Sequence, residues 1–139
     1  MTVTVTPTNL QKLEFNVTTS EGPGRVIILT GVMPVSIEAA SGVNPVEPVE
    51  RSFKAFLDPV FPPGQFRRAT ATVSFGRAGI EGGGAGGAVN SSIDEVQASL
   101  DDESGRVQLV VDLSLQALGG FNRVFVSSLL FQVTMLSQA

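Results

Sequence analysis

Carboxylates are the side chains of this sequence best suited to acid–base chemistry, because it contains 13 acidic residues but no histidine and no cysteine. The missing residue types exclude a Ser–His–Asp triad, a thiolate nucleophile and the commonest ligands of transition metals. Two carboxyl groups about 5 to 10 Å apart could still work as general acid and base, as they do in glycosidases. Glu14, Glu38, Asp58 and Asp112 are candidates for such a pair. Glycosidases generally also have Trp or Tyr platforms for sugar rings, however, and this chain has neither.

Two other stretches resemble ligand sites without matching one. Asp101, Asp102 and Glu103 are consecutive, but the spacing of a calcium-binding EF-hand is absent, and three successive side chains of a strand cannot all face one ion. The glycine-rich stretch Glu81–Gly87 lacks the lysine and the following helix of a phosphate-binding loop. We therefore predict no metal site, no catalytic residues and no cofactor. The acidic run is expected to form a hairpin turn, and Gly79–Gly87 a mobile loop.

The composition narrows the range of partners. The net charge is −4, and Arg67–Arg68 is the only adjacent basic pair, whereas nucleic-acid binding needs clustered Lys and Arg. The longest apolar run, Val26–Leu29, is far shorter than the roughly 20 residues of a membrane-spanning helix. We predict neither nucleic-acid binding nor a membrane span. The first residues lack the basic and apolar regions of a signal peptide, which favours the cytoplasm only slightly and leaves the compartment unknown.

A repeat of two residues dominates the stretch between Val96 and Met135 and predicts extended strands. Apolar residues alternate with polar ones from Val96 to Leu100 and again from Val107 to Leu115, on either side of the acidic run. Gly119–Gly120 makes a second break before a third apolar run. We therefore predict an antiparallel meander at the carboxyl end, against which the rest of the chain packs.

Earlier segments carry the same signal. Leu13, Phe15 and Val17 share one face of a predicted strand whose other face is polar, and Phe66–Phe75 alternates in the same way. Arg51–Asp58 fits either a strand or one helical turn. We prefer the strand because nothing nearby is helical.

Two runs are apolar on both faces, Val26–Leu29 and Val124–Leu136. Such strands need cover on both sides, either at the centre of a layered fold or against another copy of the protein. We find no internal repeat and predict one domain over residues 1–139. Its fold is expected to be all-β: an antiparallel β-sandwich or flattened β-barrel of about eight or nine strands with the C-terminal meander. A short helix near Ile93 is the alternative for that segment.

Three hypotheses about function follow, and non-catalytic roles are preferred to an enzyme. The first is a structural or protein-interaction module that self-associates into a homo-oligomer through the two doubly apolar runs. The second is a small β-barrel that binds a small apolar molecule, with Phe15, Phe75, Phe125 and Phe131 lining the cavity and the glycine-rich loop near its mouth. The third is an acid–base enzyme that uses buried carboxylates.

Overall fold

The computed structural model describes residues 2–40, 47–82, 88–118 and 122–139, and within these ranges the chain forms nine strands and no helix. No described segment could therefore cross a membrane as a helix. The strands are β1 (Thr2–Thr4), β2 (Thr8–Thr19), β3 (Gly22–Ala40), β4 (Val49–Leu57), β5 (Phe66–Phe75), β6 (Ala78–Gly82), β7 (Ala88–Asp101), β8 (Arg106–Leu118) and β9 (Asn122–Gln138).

The strands form two sheets that pack face to face. The first sheet has four strands in the order β1-β4-β8-β7, and the second has five, in the order β2-β3-β9-β5, with β6 also paired to β9. All strand pairs are antiparallel except β1 with β4. The predicted all-β sandwich is confirmed, and the division into two sheets distinguishes it from the barrel alternative.

The core lies between the sheets and follows the two-residue repeat. β8 alternates without a break, and its inward-facing side chains from Val107 to Ala117 are all buried. They pack against the inward faces of β3 and β9, where Ile27, Leu29, Leu129 and Val133 are also buried. A strand with neighbours on both sides and a sheet opposite buries one whole face, which explains the regularity of this pattern.

Several local predictions are confirmed. Arg51–Asp58 contributes a strand, β4, and the segment around Ile93 belongs to β7 instead of forming a helix. The acidic run forms the predicted hairpin turn between β7 and β8. The backbone amide and the hydroxyl of Ser104 both donate hydrogen bonds to Asp101 Oδ2, at 3.1 and 2.7 Å. Gly105 has a φ of 71°, which a glycine adopts without strain.

The last strand differs from the sequence prediction in two ways. β7 and β8 form the predicted hairpin, but β9 leaves their sheet and pairs between β3 and β5 in the other one. Its inward face also changes phase. Val124 and Val126 point to the core, and after the irregular pairing at Ser127–Ser128 so do Leu129 and the alternate residues that follow. The sequence predicted apolar residues on both faces of β9, but because of this phase change Val124 and Val126 face the core together with Leu129.

The glycine-rich segment requires a correction. We predicted a mobile loop from Gly79 to Gly87, but Ala78–Gly82 is a strand, β6, paired to β9. A Cβ atom on Gly79 would lie 2.3 Å from Cζ of Phe125, so the ring covers the glycine backbone across the strand pair. The remaining part of the predicted loop, residues 83–87, lies outside the described residues.

Candidate interaction surface

The outer face of the second sheet carries a group of apolar side chains at the end where β2 pairs with β3. Phe15 is opposite Val26, which is opposite Leu136 on β9, and Leu13 is opposite Ile28. Directly opposed residues of neighbouring strands share a face of the sheet. The outer apolar patch therefore consists of these five residues together with Val17.

β2 holds the most exposed part of this patch. Leu13 is 60% exposed and Phe15 is 42% exposed. β2 ends its sheet, and its first nine residues are all exposed. In the described part of the chain, β3 is its only paired neighbour. Its second edge therefore leaves backbone N–H and C=O groups unpaired, and these can pair with another strand.

The other face of β2 is polar. Lys12 Nζ lies 3.5 Å from a carboxylate oxygen of Glu14, and Arg25 on β3 lies 3.2 Å from the second oxygen of the same carboxylate. This face points to the side of the first sheet, but the residues remain exposed because β2 extends beyond the cover that this sheet provides. β2 thus has charges on its inward face and apolar side chains on its outward face, which is the reverse of the usual arrangement.

A bulge limits the regular part of the strand. The pairing with β3 shifts between Thr8 and Gln11, and Asn9 adopts a φ of 52°. From Gln11 to Thr19 the pairing with β3 is continuous. Thr19 closes this end by donating a hydrogen bond of 2.7 Å from its hydroxyl to the carbonyl oxygen of Gly22. The regular free edge is therefore nine residues long, Gln11–Thr19.

The four phenylalanines predicted to line a ligand cavity lie on two different faces. Phe131, 4% exposed, and the half-buried Phe75 both face the core on neighbouring strands. Phe15 and Phe125 lie on the outer face, Phe15 opposite Val26 and Phe125 opposite Glu38, far apart along β3. Of the four, only Phe75 and Phe131 face the core, and ligand binding by these residues stays a prediction.

The carboxylates with shifted pKa values are held in their ionised form. A hydrogen bond of 2.8 Å from Arg123 lowers the pKa of Glu38, and the same guanidinium lies 3.0 Å from Glu81. Hydrogen bonds from Ser104 lower the pKa of Asp101. A general acid at neutral pH needs the opposite shift.

The acid–base candidates from the sequence do not converge on one cleft. Glu14 lies in the ion pairs of β2, Glu38 lies on the outer face of the second sheet, and Asp112 lies on the outer face of the first sheet, opposite Glu95. Asp58 is exposed and 4.0 Å from Arg106. Among the described residues, no cluster of three or more potential metal ligands is present.

No protein-family model, curated protein or solved structure matches this chain. The surface properties of the fold are therefore the available guide to function. Sequence reasoning identified the doubly apolar run Val26–Leu29 and the apolar face of β2, but it did not place them side by side on an outer surface. β2 and β3 form a hairpin through a two-residue turn at Ser20–Glu21. The glycines and proline that follow, Gly22–Gly24, are the sequence signal from which this hairpin could have been anticipated.

Proposed function

We propose that this protein is a non-catalytic structural module that associates with a second copy of itself through β2 and the outer apolar patch. The observation that supports the proposal is the exposure of Leu13 and Phe15 on an unpaired edge strand. Monomeric proteins usually protect such edges with charges, bulges or very short strands. Here the bulge lies at one end only, and the charged residues Lys12 and Glu14 are confined to the inward face. The outward face of the nine-residue regular edge carries no charge and remains accessible.

The low charge of the patch fits this role. None of its six residues is charged, and only 16% of all residues are, so two copies can approach with their patches side by side without burying an unpaired charge. Burial of exposed aromatic and aliphatic side chains is the main source of free energy in protein association.

Light scattering after size-exclusion chromatography tests the proposal. Over a range from about 1 to about 200 μM, which brackets micromolar dissociation constants, we expect the mass to rise from that of one 14.5 kDa chain to twice this value. The double variant Leu13→Ser/Phe15→Ser is expected to remain a monomer. Two control variants, Leu130→Ser and Ile80→Ser, remove side chains that are 46% and 67% exposed away from β2 and are expected to dimerise normally. A wild-type protein that stays monomeric at the highest concentration would refute self-association.

A further inference from the structure

The outward-facing residues of the free edge of β2 follow the same order of polar and apolar types whether the strand is followed from its amino end or from its carboxyl end. From Gln11 to Thr19 the outward-facing residues are Gln11, Leu13, Phe15, Val17 and Thr19, with one polar residue at each end and three apolar residues between. Phe15 is the centre of this pattern. A two-fold symmetric interface needs such self-complementarity, because each residue meets its counterpart across the axis.

We propose, building on the self-association above, that two copies join edge to edge through antiparallel β2 strands related by a two-fold axis at Phe15. In this register Phe15 faces Phe15 of the second copy, and Leu13 faces Val17 of the second copy. The nine regular residues of each strand all find partners, with Gln11 opposite Thr19. The five-stranded sheets of the two copies become one continuous sheet.

The registers whose axis lies nearer the amino end of β2, at Lys12, Leu13 or Glu14, are less favourable. An axis at Lys12 or at Glu14 would place two like charges directly opposite each other, which destabilises a strand pair. An axis at Leu13 would place Lys12 opposite Glu14 of the second copy. This register also places Phe15 opposite Gln11 and brings the bulge at Asn9 into the pairing. Exposed ion pairs contribute little, and Glu14 is already paired with Lys12 and Arg25.

β2 is better suited to this pairing than the other strands that end a sheet in the described part of the chain. β1 has only three residues, and β6, which pairs with β9 alone among the described strands, has five. The outer faces of β5 and β7 are polar, with Arg68, Thr70 and Thr72 on β5 and with Glu95 and Gln97 on β7. Among these five strands, β2 alone has apolar side chains along its outer face, so the pairing of two β2 strands is the one that buries apolar surface.

Introduced cysteines test the register directly, because the chain has no cysteine of its own. In the proposed register, positions 13 and 17 of different copies are opposed, and the Cα atoms of opposed residues are about 4.5 to 5.5 Å apart, within the range of a disulfide. Two copies of the same position, 13 and 13 or 17 and 17, are separated by four residues along the strand, about 13 Å, and cannot be bridged.

The double variant Leu13→Cys/Val17→Cys is therefore expected to form a covalent dimer on mild oxidation, seen as a doubled mass on a non-reducing gel. The single variants Leu13→Cys and Val17→Cys serve as matched controls and are expected to stay uncrosslinked. Light scattering and circular dichroism of the reduced proteins verify that each variant is folded and dimeric before oxidation.

The possible outcomes distinguish an error in the proposed register from an error in the proposed self-association. Efficient cross-linking of Leu13→Cys alone would move the axis to Leu13 and overturn the proposed register. If the variants are dimeric by light scattering but the double variant is not cross-linked, the register centred on Phe15 is overturned, while self-association through the outer apolar patch would stand. A folded wild-type monomer at all concentrations would refute both proposals.

Discussion

Phe15→Asp is the sharpest perturbation of the proposed dimer. A residue on a two-fold axis meets its own counterpart, so this single change places two carboxylates opposite each other and removes an aromatic pair. Leu130→Asp provides the matched control. Leu130 lies on the outer face of β9, two strands away from the free edge, and is 46% exposed, close to the exposure of Phe15.

The expected loss of affinity can be estimated from the geometry. Two carboxylates about 5 Å apart repel by about 0.8 kcal/mol in bulk water and by about 3 kcal/mol at an effective dielectric constant of 20. Loss of the ring pair costs about 0.5 to 1.5 kcal/mol more. These two terms together, before the lost burial of the ring is counted, correspond to a dissociation constant raised between about tenfold and about 2,000-fold. Phe15→Asn removes the ring without adding charge, so its dissociation constant is expected to be lower than that of Phe15→Asp by the repulsion alone, about 4- to 160-fold.

Sedimentation equilibrium of these variants measures the dissociation constants, and thermal unfolding measures the cost to the monomer. Full burial of a Phe or Leu contributes about 1.5 to 3 kcal/mol, and both side chains are only about half buried, so Phe15→Asp and Leu130→Asp should each cost the monomer about 1 to 2 kcal/mol. The reasoning would be refuted if Phe15→Asp and Leu130→Asp weakened the dimer equally, or if Phe15→Asp and Phe15→Asn had the same affinity.

Two further predictions concern the other end of the second sheet. Gly79→Ala is expected to lower the melting temperature slightly, because its Cβ would lie 2.3 Å from Cζ of Phe125 and the ring must turn away from its present position on the outer face, at a cost of about 0.5 to 1.5 kcal/mol. This cost should shrink in a Phe125→Ala background, and an unchanged cost would show that the ring is not the obstacle. The lowered pKa of Glu38 means that its pairing with Arg123 stabilises the fold above its ordinary pKa of 4.5, and that this stabilisation is lost as the pH falls below 4.5. Arg123→Gln should therefore reduce the melting temperature more at pH 7 than at pH 3, and an equal reduction at both pH values would contradict this origin.

The parts of the fold that could be predicted from the sequence are those that depend on local pattern. β8 alternates from Val107 to Ala117, and every inward-facing residue is buried as the two-residue repeat requires. The turn from Asp101 to Gly105 was also recognisable, because Asp and Ser side chains hydrogen-bond to neighbouring backbone amides and glycine accepts a positive φ. Both features are determined by residues close together in sequence.

The features that could not be predicted depend on residues far apart in sequence. β9 pairs with β3 and β5 instead of β8, and no local pattern specifies which sheet a strand joins. The phase change at Ser127–Ser128 arises where the pairing with β3 is irregular between Pro34 and Ile37. Gly79 belongs to a strand because Phe125 covers it from β9, although a glycine-rich segment by itself favours a loop.

In β2, too, the local sequence pattern was not sufficient, and here the part that it could not predict bears on the proposed function. The alternation of Leu13, Phe15 and Val17 with polar residues correctly defined two faces, but alternation does not determine which face is buried. That choice follows from the pairing with β3, which places Leu13 opposite Ile28 on the outer face. An edge strand that turns its apolar face outward leaves that face without cover in the monomer, and a second strand with the same symmetric pattern can supply cover along its side.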